Sequence, residues 1–244
     1  MNSGYYAAFT GLLAKTQAFE LAANNLANIN TTGYKAQHEF YRALLATQSG
    51  RPLSPLNQAI NNFGVLGGGV VDLQAGNMER TGNDLDLAVN GPGFFVVQTP
   101  AGERYTRNGD FRLDASGQLV SQAGYPVMGD QGPIQVPAGL VSISSDGTLS
   151  VAGAVAARVR LVEFVPGTQL TPEGNSTYVA PAGAAQQAVD SSVRQGVLEA
   201  SNVNPVLGAV SMMALQRHTE MLQRALSIFH TEFNRTAAED LPRV

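Results

Sequence analysis

The three histidines are the side chains best suited to metal binding or acid–base chemistry in this 244-residue chain, which has no cysteine. His38, His218 and His230 show none of the spacings at which imidazoles bind one metal ion. His218 stands two positions from Glu220 on a predicted helix, so these two side chains do not face each other. We expect a surface or interface role for the histidines, and the sequence predicts no metal site and no cofactor.

Carboxylate pairs and glycine-rich loops are the next candidates for catalysis. Asp84 and Asp86 lie in NDLDLAV, where alternate positions are typical of the polar face of a strand. Nothing in the sequence positions Glu199 beside Glu220. Glycines 67–69 are not followed by the Lys-Ser/Thr pair of a phosphate-binding loop, and no G-x-S-x-G motif occurs. The sequence therefore predicts that the protein is not an enzyme.

Charge and hydropathy limit the partners further. Arg104, Arg107 and Arg112 flank one predicted hairpin, where we expect them to form a solvated face. The net charge of −4 implies no general attraction to nucleic acids or anionic membranes. No apolar run approaches the roughly 18 residues of a membrane helix, and the first twenty residues lack a signal-peptide pattern. We expect no nucleic acid, no membrane insertion, no small-molecule substrate and no cleaved signal peptide.

The elements that position these residues begin with a helical region at residues 1–45. One heptad seam runs along it, with spacings of 4-3-4-3-4-3 and one polar position: Tyr5, Phe9, Leu12, Thr16, Phe19, Ala23 and Leu26. A second short helix is predicted from Lys35 to about Ala46. Four asparagines crowd the end of the first helix, before Thr31-Thr32-Gly33 ends the pattern: Asn24, Asn25, Asn28 and Asn30.

The middle of the chain has the signals of a loop followed by short strands. Residues 46–75, which include Gly67-Gly68-Gly69, are expected to form a linker. Residues 76–195 contain the apolar run GFFVVQ and turn signals at Asn108-Gly109, Ser116-Gly117 and Asp146-Gly147. The first of these signals predicts a hairpin within YTRNGDFRL. This density of turns predicts a central antiparallel β domain.

Residues 196–244 return to helix, with a predicted start at Asn204-Pro205. A second heptad seam follows: Gly208, Met212, Leu215, Thr219, Leu222, Leu226, Phe229 and Phe233. The predicted fold class is α+β, in which N- and C-terminal heptad helices (1–45 plus 196–244) form a coiled-coil-like domain around a central antiparallel all-β domain. The alternative is that both helices pack on the sheet of their own chain.

Three motifs resemble those of one family. ANNLANINTTGYK, residues 23–35, resembles the N-terminal signature of bacterial flagellar axial proteins, the rod and hook family. Residues 83–129 look like the family's central β core, and QGVLEASNVNPV, residues 195–206, is similar to the segment that opens its C-terminal helix. The matching residues of the first motif, with Asn24 beside them, are Asn25, Leu26, Ala27, Asn28, Thr32, Gly33, Tyr34 and Lys35. Those of the last are Glu199, Ser201, Asn202 and Val203.

The resemblance implies a structural subunit of the flagellar basal-body rod, which polymerises helically with itself and with other axial proteins. It implies that the terminal helices form an inner tube, with the β domain outside. It also implies that the rod spans the periplasm, transmits torque to the hook and is exported by the flagellar type III apparatus. The proximal rod members are the most similar in chain length and in the segments QGPIQVP and SNVNPV. Distal rod and hook-type members are the alternatives.

The asparagines suggest a hypothesis about assembly. An amide both donates and accepts hydrogen bonds, so Asn24, Asn25 and Asn28 are expected to bond backbone groups of adjacent subunits. The alternative is that they cap and solvate a helix end. Two other protein classes remain open: a β-domain polysaccharide-binding module, although the chain has no tryptophan, and a hydrolase, for which we find no catalytic pair.

Overall fold

The computed structural model describes residues 2–42 and 65–240, and side chains within 8–38 and 69–231. The chain forms two compact units. Unit 1 comprises Met1–Leu26, Gln37–Gly69 and Asn204–Val244, and unit 2 comprises Ala27–Ala36 and Val70–Val203. A helix at each end of the chain and antiparallel strands between them confirm the α+β class.

Unit 1 is built from two long helices and a two-stranded sheet. Its elements are α1 (Asn2–Ala27), β1 (Gln37–Arg42), β2 (Val65–Val71, whose last two residues belong to unit 2) and α2 (Pro205–Asp240). A Cβ at Gly11 would lie 3.9 Å from Leu222 Cδ1, and one at Gly208 would lie 3.9 Å from Leu26 Cδ1. The early part of α1 therefore lies beside the late part of α2, so the helices run antiparallel.

The predicted start of α2 is confirmed. The side-chain Oδ1 of Asn204 accepts hydrogen bonds from the amides of Val206 (3.0 Å) and Leu207 (3.1 Å). Asn204 is thus the N-cap, and Pro205 takes the first helical position, where its missing N–H is not needed.

The helix predicted from Lys35 to about Ala46 is wrong, because Gln37–Arg42 forms strand β1 and pairs with β2. Residues 43–64 lie outside the described part of the chain. Part of the predicted linker is also a strand, since β2 includes the glycine run. A Cβ on Gly69 would lie 3.0 Å from Gln37 Oε1 and 3.3 Å from Leu21 Cδ2, so glycine allows β2 to lie close to both.

Unit 2 contains seventeen strands in the described part of the chain. They are β3 (Met78–Arg80), β4 (Leu87–Asn90), β5 (Phe94–Thr99), β6 (Gly102–Thr106), β7 (Phe111–Leu113), β8 (Leu119–Ser121), β9 (Met128–Gly129), β10 (Gly132–Pro133), β11 (Val141–Ile143), β12 (Thr148–Val151), β13 (Ala154–Arg158), β14 (Leu161–Phe164), β15 (Thr171–Gly174), β16 (Thr177–Val179), β17 (Ala185–Gln187), β18 (Ser192–Gln195) and β19 (Val197–Glu199). One sheet has six strands in the order β15-β16-β6-β5-β14-β17, and another has the order β11-β12-β13. The remaining strands form pairs, of which β18-β4 and β19-β3 bring the end of unit 2 back to its start.

The apolar run GFFVVQ forms β5, as predicted, and it is buried on both faces. Phe95 and Val97 belong to one hydrophobic core, whereas Phe94 and Val96 belong to a second. All four side chains are 0–1% exposed. Because successive side chains of a strand point to opposite faces, a strand between two cores has an unbroken apolar sequence instead of an alternating one.

Two of the three predicted turns close hairpins. Ser116-Gly117 joins β7 to β8, and Asp146-Gly147 joins β11 to β12. The hairpin predicted at Asn108-Gly109 is wrong, because β6 pairs with β5 and β16 whereas β7 pairs with β8. A Cβ on Gly109 would lie 1.6 Å from the carbonyl oxygen of Leu87, so this glycine permits a close backbone approach.

Candidate functional site

The segment that follows α1 makes a tight turn that only glycine accommodates. The hydroxyl of Thr31 donates to Asn28 Oδ1 (3.2 Å), and the amide of Thr31 donates to the carbonyl of Asn28 (3.2 Å). Gly33 has φ of 64°, and a Cβ there would lie 2.2 Å from the backbone nitrogen of Asn108. The hydroxyl of Thr32 donates to the Asn108 side chain (2.8 Å). The turn is therefore fixed against the residue that precedes Gly109.

Residues 28–36 and 199–203, which we call the junction, are hydrogen-bonded to each other inside unit 2. The Gly33 amide donates to the carbonyl of Glu199 (2.7 Å), and the Asn202 amide donates to that of Tyr34 (3.4 Å). Asn202 Oδ1 accepts from the amide of Ala36 (2.6 Å). Its Nδ2 donates to the carbonyls of Asp72 (3.0 Å) and Gln74 (3.1 Å). One carboxamide thus links three separate stretches of chain.

A buried ion cluster lies at the centre of the junction. Lys35 Nζ is 2.5 Å from Glu199 Oε1, and Arg107 NH1 is 3.4 Å from Glu199 Oε2. The side chains of Lys35 and Glu199 are 0% exposed and that of Arg107 is 2% exposed. Two cations share one carboxylate, so removal of Glu199 would leave two buried charges without their counter-ion.

The remaining polar atoms of the cluster bind mainly backbone. Lys35 Nζ also donates to the carbonyl of Gln74 (2.6 Å), and Glu199 Oε1 accepts from the amide of Gly76 (2.8 Å). Arg107 NH2 donates to the carbonyl of Gly91 (2.7 Å). The Arg107 guanidinium also lies 4.7 Å from the centre of the Phe94 ring. Arg107 Nε is a buried atom with no hydrogen-bond partner in the described part of the chain.

Burial changes the acid–base properties of these groups. Desolvation lowers the pKa of Lys35, although the Glu199 carboxylate acts in the opposite direction. Desolvation also lowers the pKa of Arg107, and again Glu199 opposes it. Tyr178, 2% exposed, accepts the amide hydrogen of Lys35 (3.1 Å), and burial raises the pKa of its hydroxyl. The cluster is closed to solvent, so its geometry suits holding backbone segments together and not reaction with a substrate.

Family models match the chain in three places. The model described as "Flagella basal body rod protein" matches residues 6–35, the hook-protein FlgE/F/G D1 domain matches 88–151, and the basal body rod FlgEFG C-terminal region matches 194–232. Lys35, Arg107 and Glu199 each come from a different one of these regions. The ion cluster therefore joins the three parts by which the family is recognised.

Relatives extend this similarity over the full length. A "Flagellar basal-body rod protein FlgF" from Caulobacter vibrioides is 34% identical and covers 100% of both chains. The chain belongs to the flagellar basal-body rod protein family. FlgF from Salmonella typhimurium is 34% identical over 91% of this chain and 93% of its own. FlgG from Buchnera aphidicola (Schizaphis graminum subspecies) is 31% identical over 89% and 92%.

In this rod-family chain the expectation of a solvated arginine face is wrong for Arg107, which is 1% exposed. Arg104 pairs with Glu173 at the surface, and Arg112 is exposed. Nothing in the sequence separated the three arginines, because burial of Arg107 depends on a carboxylate 92 residues away.

The carboxylates differ from their predicted placement. Asp84 lies in a turn before β4, and Asp86 is 5% exposed and accepts a hydrogen bond from Asn83 Nδ2 (2.8 Å), so they are not the polar face of a strand. Glu199 is buried in unit 2, whereas Glu220 is exposed in unit 1 and accepts from Gln216 (3.3 Å). His38, His218 and His230 are exposed. The described residues contain no group of three potential metal ligands.

The Asn-rich end of α1 makes bonds within the rod-family chain itself. Asn25 Nδ2 donates to the carbonyl of Gln37 (2.8 Å), and its Oδ1 accepts from the amide of the same residue (2.9 Å). Asn28 holds the Thr31 turn, and Asn24 is exposed. Among the described helices, none is long and apolar enough to cross a bilayer.

The two seams have unequal burial. On α2, Leu215 is 8% exposed, Phe229 is 49% exposed, and the positions between them are partly buried: Thr219, Leu222 and Leu226. Met212 is also partly buried. On α1 the buried residues are Ala14 and Ala18, outside the seam, whereas Phe9 is 50% exposed. Thr16 is exposed, and the other seam residues of α1 are partly buried: Leu12, Phe19, Ala23 and Leu26. The side chains of Tyr5 and Phe233 lie outside the described residues.

Proposed function

We propose that this chain is a structural subunit of the flagellar basal-body rod, which polymerises helically with copies of itself and with other axial proteins. Membership of the rod family supports the proposal, since its relatives are named basal-body rod proteins. The closed ion cluster also supports a structural role over an enzymatic one. The exposed apolar surface of unit 1 is the observation that carries the polymer part of the proposal.

Helix α2 has a second apolar stripe on the side opposite its seam. At 100° per residue the stripe is centred roughly 180° from Leu215. Its members are 53–69% exposed: Val206, Val210, Met213, Met221 and Ile228. On α1, Phe9 (50%) and Leu13 (53%) are exposed large apolar residues as well. A helix that is apolar on two opposite faces buries one face in its own unit and has the other available for a neighbour.

The physical reason for assembly is the free energy of covering this outer stripe. Burying apolar surface is worth about 25 cal/mol per Å2, so several half-exposed side chains contribute jointly. The 3-4 spacing of both seams favours packing of α1 against α2 within one chain, which leaves the outer stripe for a neighbour. A contact between two different faces that does not close into a ring generates a helical filament when it is repeated.

In this proposal the motif residues act mainly from within the chain. The junction keeps residues 28–36 and 199–203 together. Along the sequence, α1 ends just before the first of these segments and α2 begins just after the second. Asn25 contributes through its bonds to Gln37. Asn24, exposed near the end of α1, is the asparagine that we assign to a contact with an adjacent subunit.

We further infer a location in the flagellar basal body, in the part of the rod that spans the periplasm and transmits torque to the hook. Export through the flagellar type III apparatus belongs to the same proposal. A proximal rod position is the first choice, with the distal rod and a hook-type axial protein as alternatives. Site-specific crosslinking to neighbouring axial proteins in isolated basal bodies distinguishes these positions.

Met213→Glu tests the polymer contact. It places a charge in the outer stripe, and Arg217 one turn later favours a glutamate there, so α2 itself should remain helical. We expect unchanged circular dichroism, and loss of swimming and of completed rods when the variant replaces the parent. Gln223→Glu, on an exposed polar face of the same helix, is the control and should assemble normally. Normal rods with Met213→Glu would show that the outer stripe is not a subunit contact.

A further inference from the structure

The exposed methionines of the described residues both lie in the outer stripe of α2. The chain has six methionines, and the structure describes the side chains of five of them. Met213 is 53% exposed and Met221 is 57% exposed. Met78, Met128 and Met212 are partly buried. Among the described residues, accessible thioether sulfur is therefore concentrated on the face to which we assign assembly.

These thioethers are the only sulfur-containing side chains of the protein, because it has no cysteine. A hydroperoxide transfers one oxygen atom to an accessible thioether. The S–O bond forms as the O–O bond breaks, sulfur gives up two electrons, and water leaves when the oxidant is hydrogen peroxide. The product, methionine sulfoxide, is polar instead of apolar.

The two exposed methionines are placed so that oxidation changes the middle of the stripe. They are eight residues apart, which corresponds to about 12 Å along α2. Arg217 is exposed and lies midway, four residues from each. Because side chains four residues apart on a helix are neighbours, its guanidinium is within reach of a sulfoxide oxygen at either position. In the free subunit a sulfoxide is thus stabilised by water and by a donor of its own helix.

A subunit contact over the stripe would remove the water from the same oxygen. Transfer of a polar group to apolar surroundings is unfavourable unless a hydrogen-bond partner replaces the water. Oxidation therefore changes this face from one that gains stability when covered to one that is more stable in water. Methionine-rich interfaces are disrupted by this modification in general.

We propose that Met213 and Met221 form an oxidation site that controls assembly. A hydroperoxide converts them to sulfoxides in the free subunit, the oxidised subunit is excluded from the polymer, and assembly protects both side chains from the oxidant. The inference rests on the proposed function, because it takes the outer stripe as the subunit contact. Methionine sulfoxide reductases reverse the chemistry, so the block on assembly is reversible.

The first measurement is the oxidation rate of each methionine in the purified full chain. Hydrogen peroxide treatment is followed by trypsin digestion and mass spectrometry. Cleavage after Arg217 separates Met221 from the preceding methionines, and fragment ions distinguish Met213 from Met212. We expect Met213 and Met221 to be oxidised at least about threefold faster than the three partly buried methionines. Similar rates at all five positions would overturn the proposal.

The second measurement repeats the treatment on isolated basal bodies. Because neighbouring subunits cover the stripe there, we expect oxidation of Met213 and Met221 to be at least about tenfold slower than in the free chain. Equal rates in the free and assembled chains would show that the stripe is not covered. That result would overturn the polymer contact together with this inference.

The Met213→Leu/Met221→Leu double variant tests the control of assembly, because leucine is apolar and has no sulfur. Cells that produce the variant or the parent receive hydrogen peroxide while new rods form, and electron microscopy counts completed basal bodies. For each chain the count with peroxide is divided by the count without it, so an effect of leucine itself cancels. We expect this ratio to fall at least about threefold for the parent and less for the variant.

Met78→Leu/Met128→Leu is the matched control in unit 2, and it should remain as sensitive to peroxide as the parent. Equal sensitivity of the parent and the Met213→Leu/Met221→Leu variant, with both methionines protected in basal bodies, would overturn the oxidation control alone. The polymer contact of the proposed function would then still stand.

Discussion

The two units differ in how completely they bury their apolar side chains. In unit 2, Phe95 is 0% exposed and packs edge-to-face on Phe111 with ring centres 5.1 Å apart. In unit 1, Phe9 is 50% exposed and Ile228 is 62% exposed. Unit 2 therefore has two buried cores, although Leu140 and Val189 outside them are exposed. The exposed apolar residues of unit 1 lie along its helices, where covering them would add stability.

The units also differ in how they use charge. Unit 2 buries Lys35, Arg107 and Glu199 together, although desolvation of each is unfavourable. The described charged side chains of α2 are all exposed. A buried cluster is sensitive to the loss of one member, whereas a solvated charge is exchanged at small cost. The comparison thus teaches that unit 2 specifies the junction, whereas unit 1 has the exposed apolar stripe to which we assign assembly.

The largest expected effect is the difference in stability loss between alanine substitutions of Phe95 and Phe9. Phe95→Ala should lower the free energy of unfolding by about 3–5 kcal/mol, because it leaves a cavity between close-packed strands. Phe9→Ala should cost less than about 1.5 kcal/mol in the isolated chain, since its ring is already half in water. Urea unfolding followed by circular dichroism measures both. Equal losses would mean that α1 is as well buried as β5.

The next effect tests the ion cluster. Glu199→Gln should destabilise unit 2 by about 3 kcal/mol, because Lys35 and Arg107 would remain buried without a counter-ion. Near-ultraviolet circular dichroism of tyrosine, with Tyr178 beside the cluster, reports the transition, and the chain has no tryptophan to obscure it. Glu79→Gln, an exposed glutamate on the strand paired with β19, is the matched control and should unfold like the parent.

The smallest effect is a change in alkaline stability. Burial raises the pKa of Tyr178, so the folded chain keeps a proton that the unfolded chain loses above about pH 10. The stability from this hydroxyl is therefore complete below that pH and declines as pH rises. Tyr178→Phe should lower the free energy of unfolding by about 1–3 kcal/mol at pH 8, because the Lys35 amide loses its acceptor. Between about pH 9.5 and 11, however, the variant should lose less stability than the parent.

Lys35 has the opposite effect on stability over the same pH range, and it is present in both the parent and Tyr178→Phe. Because its folded pKa is lowered, its contribution rises with pH up to its unfolded value. The comparison of Tyr178→Phe with the parent removes this shared part. Identical alkaline slopes for the two chains would contradict a buried, protonated Tyr178.

Local patterns in the sequence were sufficient for several elements. The heptad spacing predicted both helices, Asn204-Pro205 predicted the start of α2, and GFFVVQ predicted β5. Ser116-Gly117 and Asp146-Gly147 predicted two hairpins. These features depend on backbone preferences over a few residues, so neighbouring sequence contains the needed information. The motifs around Lys35 and Glu199 also sufficed to recognise the rod family.

Tertiary structure decided the features that depend on distant partners. Gln37–Arg42 is a strand because β2 pairs with it, and Asn108-Gly109 is a close-packing site because the carbonyl of Leu87 lies against it. Burial of Arg107 likewise requires Glu199. By itself the sequence determined the two long terminal helices, which residues are apolar and which motifs identify the family. Only folding decided which charges leave water, because desolvation and pairing depend on groups brought together from across the chain.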